Sequence, residues 1–359
     1  MNTEFPNPWT HSTLPHEEMA HSLKLLLRKD ILEEAKGRFL SALHQRGETA
    51  AELAGFATLL LEEAVSPDII RSPEIPLLEL CGTGGDQAGL LNISTAAMFV
   101  VAGVGVSVVK HGSRAVSSRC GSADVLEALG VTLHLRPERI NEVLEQANCV
   151  FLLATDFHPA VAAVAPLRRA LAAGGQLTMF NLLGPLLNPA RPDVQLTGVY
   201  APELLDLYAS ALGLIGRRTA WAVHGEGGAG EGGFDELSIT GPSRVASYVA
   251  GREESVEHFV IHPQELGFSQ QVEMASLQGG NALENAARIV AILSGNERSA
   301  ARSMIVLNAA AALHIAGKAK TLAEGIIKAE ESLDSGRALR SLETLRQASQ
   351  KASSHGTVS

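Results

Sequence analysis

From Leu77 onward, short apolar runs alternate with helical patterns, and this alternation constrains the fold more than any other feature of the chain. Strands are expected at 77–81, 106–110, 131–135, 149–154, 195–200 and 219–223, with helices near 94–104, 122–129, 137–147 and 202–213. Such alternation predicts a largely parallel sheet covered by helices. The 243–261 stretch is expected to add an antiparallel pair. Helices at 281–293, opened by an Asn281/Glu284 cap, and at about 297–316 then close the fold. Ahead of the sheet, Glu17 to about Val65 reads as helices only. Asp30 is the expected cap of a helix with Leu32, Ala35, Phe39, Leu40 and Leu43 on one face. Thr49 and Glu52 form a capping box before the next helix. The fold class is therefore α/β. A small helical domain (17–72) precedes a larger α/β domain (73–346), and helical segment 156–185 is expected to pack back on the former. Polar stretches 1–16 and 347–359 read as flexible tails.

A length of 359 residues suggests about two domains. A net charge of −10 argues against non-specific nucleic-acid binding, which needs excess Lys and Arg to neutralise phosphates. Cys81, Cys120 and Cys149 are three in number and far apart, which suits neither a disulfide framework nor a zinc site. The N-terminal stretch lacks the apolar core of a signal peptide. The longest apolar run, Ala96 to Val109, is shorter than the roughly 18–20 residues that span a bilayer. A cytoplasmic protein without membrane partners is expected.

Three polar clusters follow expected strands. Gly82-Thr-Gly-Gly-Asp86 ends the first strand, and Asn92-Ile-Ser-Thr95 opens the helix after it. Glycines admit close backbone approach and a helix start favours negative charge, so the order suits an anion site. The spacing is neither that of a dinucleotide fold nor that of a P-loop. A ligand-free strand-to-helix turn is the plainer reading of these residues alone. The second cluster, Lys110 to Ser122, holds Lys110, Arg114 and Arg119 among glycines and hydroxyls. Parallel strands would set it beside the first, at the end of the sheet where such folds bind ligands. The third is a glycine-rich loop after His224 that ends in Asp235-Glu236, a pair suited to Mg2+ shared with substrate phosphates. Further on the same theme, Arg168 follows Phe157-His158-Pro159 and could hold a carboxylate in bidentate fashion.

The combined set of GTGGD, NIST, KHG-x-R-x-VSS-x-x-GSAD, HP…RR, FNLLGPLLNP, the Asp-Glu pair, GGNALEN and LNAA resembles the anthranilate phosphoribosyltransferases over roughly residues 20–346. The resemblance implies a homodimer that moves a 5-phosphoribosyl group from phosphoribosyl pyrophosphate (PRPP) to anthranilate, with Mg2+, two ions bound with PRPP. It implies PRPP contacts at Gly82, Gly85, Asp86, Asn92, Ser94, Thr95, Lys110, Ser118 and Ser122. Ser94, Asp235 and Glu236 would hold the metal, and Gly82, His111, Ser113, His158 and Arg168 would meet anthranilate or line its route. No side chain is assigned covalent or acid–base chemistry; positioning and electrostatics carry the reaction.

The chain departs from the family pattern at three places. Ser113 stands where the family has Asn, Leu90 where it has a hydroxyl, and segment 169–178 is longer and reads Ala-Gly-Gly-Gln-Leu-Thr at its end. These departures motivate an alternative, a transferase with another aromatic acceptor. A pyrimidine nucleoside phosphorylase and a non-catalytic nucleic-acid-binding relative are the remaining readings, disfavoured by Asp235-Glu236 and by the net charge of −10 respectively.

Overall fold

The computed structural model describes residues 3–72, 74–86, 88–115, 119–227, 232–252, 256–268 and 272–354. Helices His16–Leu27, Glu33–Arg46 and Ala50–Glu62 come first, and the expected capping box opens the third, with both Thr49 and Glu52 bonds made. The second helix starts later than expected. Asp30 pairs instead with Arg28 (2.9 Å), and Leu32 occupies the cap position.

Seven strands form one sheet: β1 (Leu77–Gly82), β2 (Ser107–Gly112), β3 (Cys149–Leu153), β4 (Val194–Gly198), β5 (Thr219–Gly225), β6 (Ser243–Val249) and β7 (Glu257–Ile261). Their order is β3-β2-β1-β4-β5-β6-β7; β1 to β5 are parallel, and β6 and β7 are antiparallel. The side-chain period of two sends Leu196, Trp221, Val223 and Val245 into one core and Ala220, Ala222 and Ala246 into another on the opposite face. The second core also contains Phe39, Leu40, Leu53 and Phe56 of the N-terminal helices, together with Val164 and Leu167 of segment 156–185.

Three further expectations fail. Residues 131–135 form no strand: Val131, Leu133 and Leu135 are buried, but Thr132 N–H donates to Ser349 Oγ (3.1 Å) and Gly130 C=O accepts from Gln350 (2.9 Å). Burial against a helix produced the strand-like alternation. That helix, Arg337–Ser354, takes up 347–354 of the expected tail, the rest of which, 355–359, lies outside the described residues, and Leu322–Asp334 precedes it. Leu342, Leu345, Ala348 and Ala352 give it a buried stripe of helical period, with Ser349 fully buried among them. Nor does the described part of the 1–16 tail hang free. Phe5 stacks on Phe39 (4.7 Å) and Leu14 is buried, with its N–H on Glu52 Oε1 (2.8 Å).

Glu52 thus ties the N-terminal strap to the helices. Burial opposes its charge, but the Arg46 guanidinium and the Leu14 and Thr49 amides outweigh it and hold the carboxyl below its ordinary range. Glu52→Gln leaves Arg46 without its counter-charge and should destabilise the chain by about 3 kcal/mol at pH 7. Because the folded carboxyl is depressed, that advantage exists above the unfolded value of about 4.3 and vanishes as pH falls through the folded one. Urea unfolding of the two proteins should therefore differ at pH 7 and converge in acid.

Candidate functional site

The loops after β1, β2 and β5 meet at the C-terminal end of the parallel strands. β1 ends at Gly82, and Thr83 N–H continues the ladder to Gly198 C=O (2.9 Å). The turn then needs φ of +68° at Gly84 and +89° at Gly85, the left-handed region that glycine enters freely. Gly84 N–H donates to Asp235 Oδ2 (2.7 Å). A Cβ at Gly82 would collide with the Asp235 carboxylate, and one at Gly198 with the Asp235 carbonyl. The two glycines admit the Asp235 loop onto the turn.

Glu236 reaches the other half of the motif, where its Oε1 accepts from Ser94 N–H (2.9 Å) in the first turn of helix Ile93–Gly103. Lys110, buried on β2, donates to Leu80 C=O (2.5 Å) and Ser94 Oγ (3.1 Å). Asp86 Oδ2 accepts from Asp235 N–H (3.5 Å). Gly82, Gly85, Asp86, Ser94, Lys110, Asp235 and Glu236, which sequence reasoning grouped from three separate loops, therefore lie in one place. Thr95 is buried within the same helix turn. Ser122 opens helix Ser122–Ala128 with its Oγ against Gly112, and Asp124 folds the cationic loop back through the Ala115 (2.8 Å) and Gly121 (2.9 Å) amides. Arg114 turns away to pair with Glu127 (2.7 Å). Ser118 lies outside the described residues.

The three carboxylates repel one another. Burial, then the charges of Asp86 and Glu236, raise the Asp235 carboxyl well above its ordinary value. Burial also pushes Glu236 up to about 7, although Lys110 and Ser94 pull it down. Such a cluster fits a cation. Among the described residues no three His, Cys, Asp or Glu side chains converge into a closed metal cage. An open carboxylate pair is the donor set Mg2+ accepts when substrate oxygens and water complete its shell. Asp235, Glu236 and the Ser94 hydroxyl are the residues available to hold it.

Lys110 and His111 are adjacent on a strand and so face opposite sides of the sheet. His111 meets His158 edge to face, with ring centroids 5.1 Å apart. Both rings are buried, and among the described residues no hydrogen-bond partner meets His111 Nε2 or either His158 ring nitrogen. Burial, then His158 and Lys110, push His111 down to about 3, against a weak pull from the Gly184 backbone. Arg168 donates to Phe180 C=O (3.2 Å), with its guanidinium carbon 5.4 Å from the centre of the Phe180 ring. Burial lowers its pKa, and among the described residues it has no carboxylate partner. Among the described residues no hydrogen bond or ring contact joins the Arg168 side chain to either histidine. Ser113 is exposed, its carbonyl accepting from Ala123 N–H (3.3 Å).

Sequence reasoning left several positioning residues unassigned. Asn285 donates to Asn92 Oδ1 (3.0 Å) and accepts from Gly280 N–H (2.6 Å), while Asn92 Nδ2 donates to Cys120 C=O (3.2 Å). Asn308 brackets Leu237 from both sides at 3.0 Å, fixing the chain just after Glu236. Both asparagines sit inside motifs noted in the sequence, and their burial is the signal that a sequence hides. Leu90 forms an isolated β-bridge with Gln278 and packs on the core. An apolar side chain at this position is thus accounted for by packing.

Residues 74–339 match the family model described as "Glycosyl transferase family, a/b domain", and residues 9–64 match "Glycosyl transferase family, helical bundle domain". An anthranilate phosphoribosyltransferase from Rubrobacter xylanophilus is 42% identical over 343 residues, 96% of each chain. The crystal structure of the anthranilate phosphoribosyltransferase from Thermus thermophilus superposes with a TM-score of 0.84 at 38% identity, covering 96% of this chain and all (100%) of that one. The Saccharomyces cerevisiae enzyme in complex with PRPP and Mg superposes with a TM-score of 0.81 at 29% identity, covering 95% and 94% of the two chains. The same yeast enzyme has also been solved with 4-fluoroanthranilate, at a TM-score of 0.80, 28% identity and coverage of 95% and 93%.

The crowding of carboxylates predicts that Asp235→Asn raises the melting temperature of the cation-free protein, by about 2 °C if ~1 kcal/mol of repulsion is relieved. The Asn amide retains an oxygen for Gly84 N–H. A fall of similar size in a thermal melt would mean that local donors already compensate the charge.

Proposed function

This chain belongs to the anthranilate phosphoribosyltransferase family, and from that premise we propose how its residues transfer the 5-phosphoribosyl group of PRPP to the amine of anthranilate, releasing pyrophosphate, a step of tryptophan biosynthesis. The observation that carries the reading is the meeting of Gly84 N–H with Asp235 and of Ser94 N–H with Glu236, which joins a glycine turn, a helix start and a carboxylate pair.

On this reading Gly82, Gly85, Asp86, Asn92, Ser94, Thr95, Lys110, Ser118 and Ser122 bind PRPP, and Ser94, Asp235 and Glu236 hold Mg2+, two ions in all. Support comes from the donor set described above and from the yeast relative that was solved with PRPP and Mg. When the C1–oxygen bond breaks, positive charge grows on the ribose and negative charge on the departing pyrophosphate. Bound Mg2+ supplies charge neutralisation of the phosphates. Lys110 and the amides at the start of helix Ile93–Gly103 stabilise the leaving group with donors already in place. A side chain need not attack the ribose, and Cys81 and Cys149, both buried with thiols pushed far up by burial, are held neutral.

The acceptor side comprises Gly82, His111, Ser113, His158 and Arg168. Arg168 is a desolvated cation with no ion-pair partner among the described residues, a suitable match for the anthranilate carboxylate. The aromatic amine is neutral at pH 7, so its nitrogen needs alignment with C1 more than activation. Alignment alone supplies several kcal/mol, up to roughly 7–11 in the best cases. A homodimer and a cytoplasmic location are proposed on the family resemblance, and a mass measurement in solution checks the former.

Incubation with PRPP, Mg2+ and anthranilate tests the reading, because anthranilate fluorescence disappears on reaction. Loss of signal with release of pyrophosphate is expected. No loss, with turnover of another aryl amine, would favour the alternative raised by Ser113 and segment 169–178. Arg168→Ala should raise the anthranilate KM by at least about tenfold, the cost of a lost charge-assisted bond, with a smaller effect on the PRPP KM. Equal effects would remove Arg168 from the acceptor side.

A further inference from the structure

The ladder between β1 and β2 is incomplete. Registered pairs between them stop at Leu78–Val108, whereas β1 runs on beside β4 to Gly82–Gly198 and β2 beside β3 to Gly112–Leu153. Backbone groups alternate in direction along a strand. Val108 N–H points to the β3 side, donating to Asn148 C=O (2.8 Å), so Val109 and His111 turn theirs toward β1 across the opening.

Side chains fill that opening. His111 N–H donates to Glu79 Oε1 (3.1 Å), and Val109 C=O accepts from Asn188 Nδ2 (2.8 Å). Lys110 crosses independently to Leu80 C=O (2.5 Å) and Ser94 Oγ (3.1 Å). Glu79 and Asn188 are 1% and 0% exposed, so neither is a solvent-facing group that happens to lie near. A carboxylate in such a place opposes folding unless donors hold it, and burial pushes Glu79 up to about 7 against the pull of Arg217. Arg217, itself buried, is held by Gln195 Oε1 (2.7 Å).

We infer that Glu79 is a positioning residue for the transfer: it stands in for the missing β1 carbonyl and fixes His111, and with it the acceptor wall. Lys110 keeps its own two anchors, so its placement does not rest on a bond to Glu79, whose charge reaches it only through space. The inference rests on the acceptor assignment of His111 made above.

The test uses an Arg217→Met background, which leaves no buried guanidinium without a counter-charge. Within it, Glu79→Gln keeps an oxygen for His111 N–H and Glu79→Leu removes it. The Gln variant should keep the anthranilate KM within about twofold of the background. The Leu variant should raise it by about tenfold or more while the PRPP KM moves no more than about threefold, as a misplaced contact group would. Equal anthranilate KM values in the two variants, or equal rises for both substrates, would overturn the inference. Amide hydrogen exchange on the unaltered chain gives a second arm that needs no variant. The His111 amide should be protected as well as that of Val108; exchange at the rate of an exposed loop would overturn the inference. If anthranilate is not a substrate at all, the functional reading falls while the exchange result still stands on its own.

Discussion

The site depends first on one contact, the Asp235 carboxylate lying on the glycine turn that ends β1. Gly84 N–H holds it at 2.7 Å, and the missing side chains of Gly82 and Gly198 make the space. The loop after β5 thereby reaches the loop after β1, with β4 between them in the sheet. The next residue, Glu236, lies on Ser94 N–H, so the helix start faces two carboxylates besides the Asp86 that the glycine turn carries. Asn308 secures the arrangement from behind by gripping both polar groups of Leu237.

A second constraint is the two-residue period of β2. Lys110 points to the face that carries helix Ile93–Gly103, and His111 points to the face covered by segment 156–185. The cation that would meet a pyrophosphate and the imidazole that would line an aromatic acceptor are therefore neighbours in sequence and separated by the sheet. The opening of the ladder between β1 and β2 gives each of them room. Glu79, Asn188 and Lys110 replace the backbone bonds that the opening removes.

Much of this was legible in the sequence because it is local. The glycine turn, the helix start after it and the Thr49/Glu52 and Asn281/Glu284 capping boxes are written within a few residues of themselves, and they appear as expected, whereas the Asp30 cap does not. The alternation from Leu77 located β1 to β5 along with one false strand, and the less regular 243–261 stretch holds the expected antiparallel pair. What escaped depends on partners distant in sequence. Residues 131–135 look like a strand until Ser349 is seen to take the Thr132 N–H and Gln350 the C=O of the preceding Gly130. Helix Arg337–Ser354 buries small residues, Ala348, Ser349 and Ala352, whose composition reads as a polar tail. Asn285 lies inside the GGNALEN motif and Glu79 just ahead of the glycine turn, but neither position shows which amide its side chain meets. Arg168 rests on Phe180, a placement governed by the packing of its segment and not readable from its spacing to His158.

The central claim is that Asp235, Glu236 and the glycine turn form a site for a cation and a pyrophosphate together. Thermal melts of the chain with Mg2+ alone, PRPP alone and both test it most directly, because a ligand that binds only the folded state raises its stability by mass action. The account predicts small shifts singly and a joint shift larger than their sum, lost in Asp235→Asn with Glu236→Gln. A PRPP shift that is equally large without Mg2+ and survives that double substitution would contradict it.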